Sequence, residues 1–263
     1  MKNELFDALR AALAEDRPVA LATVVDGLGV GAKLLVTPDG APRGTLGDPD
    51  LDRVVARDAL GELAAARSGI RHYGPQGQAN QTDLAVFVES HAAPPRMVIF
   101  GAVDFTASLC RVAKVLGYHV TVCDARAVFA TRARFPSADE VVVDWPQRVL
   151  EEVGHRLGPV DAVCVLTHDP KFDVPAIQGA LATDVGYLGV MGSRSTHHRR
   201  LARLAEEGVG DPAALSRIRA PIGLDLGGRT PEETAVAICA EIIAARTGHD
   251  GRPLHTVTGP IHT

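Results

Sequence analysis

Apolar positions along the chain follow one pattern before residue 91 and another after residue 96. In the first fifteen residues Leu5, Phe6, Leu9 and Leu13 recur at the spacing of one helical face. Residues 19–25 are short, apolar and β-rich and read as a strand, with residues 33–36 as its partner. The glycine-rich stretch between them, Gly27 to Lys33, lacks the Lys-Ser/Thr of a Walker loop and reads as a flexible hairpin. Pro38-Asp39-Gly40 has turn chemistry. Asp48 and Pro49 stand as N-cap and first-turn proline of a helix over residues 48–66, and residues 84–88 form another strand. Together these predict a small α+β domain over residues 1–91. His91-Ala92-Ala93-Pro94-Pro95-Arg96 then breaks regular structure and reads as a linker.

Beyond the linker, strands that are apolar on both faces alternate with helices. The strands are expected at 97–100, 119–123, 140–143, 162–166 and 185–190. The helices are expected at 105–116, 147–157, 174–183, 194–207 and 231–246. Strands without a polar face need cover on both sides, which predicts an α/β, Rossmann-like, doubly wound parallel sheet over residues 97–248. Residues 249–263 are polar and are expected to form a flexible tail. In such a sheet ligands bind beyond the carboxyl ends of the strands.

Charge and cysteine usage narrow the function classes. Twenty-seven basic against thirty-two acidic side chains give a net charge of −5, which argues against nucleic acid as a partner. Cys110, Cys123, Cys164 and Cys239 are scattered in apolar runs with no C-x-x-C; they read as buried hydrophobes, and no metal site is assigned. The acidic start is unlike a signal peptide and no apolar run reaches the length of a membrane span, so a cytoplasmic address is expected.

Candidate chemistry gathers at the expected carboxyl ends. The first strand runs into Gly101-Ala102-Val103-Asp104-Phe105-Thr106, which holds only the first glycine of a dinucleotide fingerprint. Val103 stands where a pyrophosphate wants bare backbone. Asp104 either opposes a phosphate or caps the helix. Asp124 lies 23 residues after Gly101, near the spacing of a ribose-binding acid. Thr167-His168-Asp169-Pro170 ends the fourth strand; His168 is a candidate proton carrier that Asp169 or Asp173 would orient. At Gly192-Ser193-Arg194, backbone N–H groups, the Ser193 hydroxyl and the Arg194 guanidinium suit an anion, with Ser193 as a plain N-cap the alternative. His197, His198, Arg199 and Arg200 read as a solvated helix face. In the glycine- and proline-rich segment 220–233, Thr230, Pro231 and Glu233 form a capping box, leaving Asp225 and Arg229 as ligand candidates.

These pieces together resemble the XdhC/CoxI family, the accessory proteins of xanthine dehydrogenase and carbon monoxide dehydrogenase. The resemblance rests on Arg134-Phe135-Pro136 with Ala138-Asp139-Glu140-Val141, on Thr167-His168-Asp169, on residues 189–194, and on residues 220–233 leading into Ala240-Glu241-Ile242-Ile243-Ala244. It implies a protein that binds molybdenum cofactor (molybdopterin) and assists its sulfuration and insertion into a molybdenum hydroxylase client, working as a homodimer. On that reading Gly101, Ala102, Val103, Asp124, Thr167, Gly192, Ser193, Arg194 and Arg229 hold the ligand, and His168, Asp169 and Asp225 carry any chemistry. A chain of 263 residues with four scattered cysteines is too small to hold the iron–sulfur, flavin and molybdopterin domains of the dehydrogenase itself. Two departures from the family pattern stand out. The Gly101 loop lacks the second glycine, which bears on NAD(P) or FAD binding. Gly47-Asp48-Pro49-Asp50-Leu51-Asp52 has no thiol where the family carries a cysteine. An NAD(P)-dependent oxidoreductase and a ligand-free docking module for a dehydrogenase subunit remain the alternatives.

Overall fold

The structure, a computed structural model, describes residues 2–15, 17–38, 40–64, 67–79, 81–92 and 94–258. Two compact units divide the chain, Met1–Pro94 and Pro95–Thr263, and each has its own sheet.

The first unit runs α1 (Lys2–Ala14), β1 (Val19–Asp26), β2 (Lys33–Val36), β3 (Arg43–Thr45), α2 (Pro49–Ala64), β4 (Gly69–Tyr73) and β5 (Leu84–His91). Its strands pair antiparallel in the order β3-β2-β1-β5-β4. Alternation along β1 divides the core between the two faces. Ala20, Ala22 and Val24 meet Leu51, Val55, Ala59 and Leu63 of α2, while Val19 meets Ala12 of α1. Asp48 caps α2, its Oδ1 accepting from the N–H groups of Asp50 and Leu51 at 2.9 and 3.0 Å. The end of the helix expected at 66 and the turn residue Asp39 lie outside the described residues. The sequence reading lacked β3 and β4. Both are edge strands, β3 exposed throughout and β4 over most of its length, so no buried alternation marks them.

The second unit runs β6 (Arg96–Phe100), α3 (Asp104–Val115), β7 (His119–Cys123), β8 (Glu140–Val142), α4 (Pro146–Val153), β9 (Ala162–Val165), α5 (Pro170–Leu181), β10 (Tyr187–Val190), α6 (Arg194–Glu206), α7 (Pro212–Leu215), β11 (Ile218–Arg219) and α8 (Pro231–Thr247). All six strands are parallel, in the order β11-β10-β9-β6-β7-β8. The first strand of the unit therefore lies mid-sheet between the second and the fourth, and the strand order reverses between β6 and β9. Met97 and Ile99 face the core cluster shared with α3 and α8; Val98 and Phe100 face the one shared with α4, α5 and α6. Every residue of β9 and β10 is buried, as a sheet covered on both faces requires.

The one substantial shift in an element is α5, which starts at Pro170 rather than at 174. Asp169 caps it by accepting from the Lys171 N–H at 3.0 Å, and Pro170 occupies the first helical position, where a missing N–H costs nothing. Beyond α8 a short 3-10 turn spans Leu254–Thr256, and the last five residues of the expected tail lie outside the described residues. No described helix is long and apolar enough to cross a membrane.

Candidate functional site

The carboxyl ends of β6 and β9 define the reversal point of the second sheet, and two loops meet there. The Gly101 N–H donates to the Cys123 carbonyl and the Leu166 N–H to the Phe100 carbonyl, both at 2.8 Å, so the ladder continues one residue past each strand. Gly101 has φ +115°, and a Cβ there would lie 2.7 Å from Thr167 Cγ2. Only glycine allows that approach.

The rest of the Gly101 loop is closed on itself. Val103 packs its side chain against the core under α3. Thr106, at the place of the third glycine, donates from Oγ1 to the Gly101 carbonyl at 2.5 Å and accepts from the Val103 N–H at 3.3 Å. The Ala102 N–H donates to Asp124 Oδ2 at 2.9 Å. Two backbone donors that a pyrophosphate would use are thus engaged within the chain. Asp104 does not cap α3; Val103 holds the cap position, and the exposed Asp104 carboxylate faces Arg134 at 3.7 Å.

Asp124 is buried at the end of β7 and also accepts from Arg126, from its N–H and Nε at 2.9 Å and from Nη2 at 2.8 Å. Burial alone would raise its pKa; the Arg126 side chain and the Ala102 and Arg126 N–H groups outweigh this and hold the carboxyl below its ordinary value. A carboxylate with these partners is not free to accept from a ribose.

Beside it stands a cluster of flat side chains that the sequence reading missed. The Arg126 guanidinium lies 4.6 Å from the Phe129 ring centre and 5.9 Å from that of Phe172. Phe172 stacks on Trp145 at 4.8 Å between centroids. Arg134 lies over Phe129 and Phe135 at 5.6 and 5.4 Å and donates to the carbonyls of Ala102 and Phe129. Phe129 and Trp145 are 41% and 39% exposed, so planar surface stays open to a ligand. Chain periodicity hides this cluster because its members come from three separate connections; the clue available was the pairing of Arg126 with Phe129 and of Arg134 with Phe135.

At the end of β9 the predicted residues separate. Thr167 is buried and donates to Asp173 Oδ1. Asp173 Oδ2 accepts from Arg200 Nη2 at 2.7 Å, with both side chains 4% exposed. Burial raises the Asp173 pKa, and the Thr167 hydroxyl and Arg200 guanidinium work against that rise. His168 is exposed, and its ring makes no hydrogen bond among the described residues. The expectation that Asp169 or Asp173 orients it is corrected: the first carboxylate caps α5 and the second is held by Thr167 and Arg200. Arg200 is likewise no part of a solvated face. It also donates to the Met191 carbonyl at 3.1 Å, and its Nη1 is buried without a partner.

Gly192 turns the chain into α6 with φ +138°. Ser193 Oγ accepts from the Thr196 N–H at 3.1 Å, the plain N-cap. Arg194 is exposed, its guanidinium without a partner among the described residues. Asp225 and Arg229 are also exposed, and neither side chain bonds to the crevice loops; the Arg229 N–H and the Thr230 N–H both serve the Glu233 carboxylate of the α8 capping box. The segment reaches the sheet through Ile222, whose N–H donates to the Val190 carbonyl at 3.1 Å. All four cysteines are free and buried, and burial pushes the Cys110, Cys123 and Cys239 thiols up to about 12. Among the described residues no cluster of His, Cys, Asp or Glu is arranged to hold a metal ion.

Comparison with known proteins agrees with this architecture. Residues 97–242 match the family model of the XdhC Rossmann domain, and residues 12–74 match that of the XdhC and CoxI family. A probable xanthine dehydrogenase subunit of Bacillus subtilis is 32% identical over 161 residues, covering 61% of this chain and 46% of that protein. The molybdenum cofactor insertion chaperone PaoD of Escherichia coli is 35% identical over 85 residues, 32% of this chain and 26% of its own length. The chain thus spans less than half of either relative. A crystal structure of a xanthine dehydrogenase from Bacillus halodurans superposes with a TM-score of 0.55 at 20% identity, over 94% of this chain and 96% of that one, and shares the fold. With both of its units matched in order, the chain belongs to the XdhC/CoxI family.

Proposed function

We propose that the chain holds molybdenum cofactor at the carboxyl ends of the second sheet and hands it to a xanthine dehydrogenase-type molybdenum enzyme. The observation that carries the reading is the open bank of planar groups formed by Arg126, Phe129, Trp145 and Phe172 beside the reversal point. A pterin is a flat, polar ring system, and guanidinium and aromatic faces are its natural partners. The bound cofactor would supply the metal–dithiolene centre that the client enzyme uses; the chain would bind and shield the organic part. The resemblance to an insertion chaperone supports the same reading. His168, Asp169 and Asp225 then act as rim contacts rather than as acid–base groups, because no hydrogen bond links any of them to another. Assistance with sulfuration would consist of presenting the cofactor: the four thiols are buried, so the sulfur donor is a partner protein. A nicotinamide cofactor is disfavoured by the engaged donors of the Gly101 loop.

The test is to produce the protein in a host with an intact molybdopterin pathway and to release the bound pterin as its fluorescent oxidised form. The expected result is retained pterin in the wild type and a marked loss in Arg126→Ala and Trp145→Ala. A wild-type preparation free of pterin from such a host overturns the reading.

A further inference from the structure

Between the start of α5 and the exposed side of α6 lies a small cavity of about 120 Å³, lined by His168, Asp173, Thr196, Arg199, Arg200 and Arg203 together with the apolar Pro170 and Val174. Its charge is lopsided. Three guanidiniums face one carboxylate, and that carboxylate, Asp173, is already engaged by Arg200 and Thr167. Arg199 and Arg203 are exposed, and their guanidiniums have no ion-pair or hydrogen-bond partner among the described residues. They stand four residues apart, so their side chains rise from the same face of α6. Arg200, only 4% exposed, lines the inner wall; its Nη1, which has no hydrogen-bond partner among the described residues, lies toward Gly192, where an added Cβ would stand 3.7 Å from it. Thr196 lines the same wall, its hydroxyl sharing a hydrogen bond with Ser193 Oγ at 2.9 Å.

We propose that this cavity is an anion site that takes a phosphate monoester, with Arg199 and Arg203 clasping its oxygens, the charge of Arg200 behind them and His168 closing the rim. Guanidinium forks match tetrahedral phosphate oxygens better than any other side chain. The inference deepens the cofactor reading, since it places the ligand's phosphate in a different pocket from its ring, and it relies on that reading only for the identity of the full ligand.

The experiment uses the full chain and inorganic phosphate as probe, titrated calorimetrically at constant ionic strength, with acetate in a parallel titration. Wild type is expected to bind phosphate saturably and acetate far more weakly. The double variant Arg199→Ala/Arg203→Ala, whose side chains contribute nothing to the core, is expected to lose about tenfold or more in phosphate affinity, while Arg148→Ala, at an exposed arginine outside the cavity lining, retains it. Absence of saturable phosphate binding in wild type overturns the proposal. So does undiminished binding in the double variant, or acetate binding as tight as phosphate. Pterin release, measured on the same preparations, separates the two claims: pterin without phosphate binding removes this site and leaves the carrier, and phosphate binding without pterin does the reverse.

Discussion

Arg200 sits where a helix-surface reading of residues 197–200 would not put a charge. Its neighbour one turn on, Leu204, is fully buried, and residues four apart share a face. That spacing was legible in the sequence; the run of basic residues around it masked the signal. The partner Asp173 lies 27 residues away, beyond any local pattern. Breaking a buried pair leaves the other charge uncompensated, so Arg200→Ala is expected to lower stability by about 3–5 kcal/mol in urea unfolding. Replacing both partners, as Asp173→Leu with Arg200→Met, is expected to recover most of that loss. A double variant as unstable as Arg200→Ala would show that the pair also fixes the loop at Thr167. Asp124 gives a pH-dependent counterpart. Its carboxyl is held below the ordinary value of 3.8 because its partners outweigh its burial. The unfolded chain then takes up the proton first on acidification, so the stabilisation is complete above about pH 4–5 and is lost as pH falls through the folded value. Asp124→Asn is expected to be less stable than wild type by about 1–2 kcal/mol at pH 7, with the gap closing as the pH falls from about 5 to about 3. A gap independent of pH would mean that Arg126 does not hold the carboxylate in solution.

Elements were legible to the extent that burial dictated them. The central strands β6, β7 and β9 are buried over nearly their whole length, and helix α8 carries a strong start signal, so their positions follow from the sequence directly. The edge strands β3, β4 and β11 bury little, which removes the periodicity that would announce them. At α5 the expected start at 174 leaves out the first turn, because Asp169, which caps the helix ahead of Pro170, is a residue type equally suited to chemistry. The α8 cap is the opposite case. Thr230 accepts from the Glu233 N–H at 3.2 Å while Glu233 serves the Thr230 and Arg229 N–H groups, as the residue pattern Thr-Pro-Glu-Glu specifies. Thr230→Ala is expected to cost about 1 kcal/mol in chemical denaturation, and Thr230→Ser to stay within a few tenths of wild type. Equal losses for the two variants would show that the methyl group, rather than the hydroxyl, is what matters.

On the scale of the whole molecule, the division at Pro94 and Pro95 leaves every strand of the parallel sheet, both of its core clusters and all crevice side chains within residues 95–263. Among the described residues each strand pairs within its own sheet. A unit with its own closed hydrogen-bond ladder and core meets the requirements for independent folding. The sequence made that unit legible through its alternation of strands and helices, but not the Arg126–Phe172 bank, which joins connections from either side of the reversal between β6 and β9, or the cavity beside Arg200, which needs α5 and α6 packed side by side. A fragment of residues 95–263 is therefore expected to unfold cooperatively in urea and, on the proposed function, to carry as much pterin as a parallel preparation of the full chain. If it folds but loses the pterin, the first unit contributes to binding and the ligand site extends beyond the second sheet. If it does not fold, the second unit depends on residues 1–94 for stability, and the two sheets form one cooperative structure despite sharing no strand.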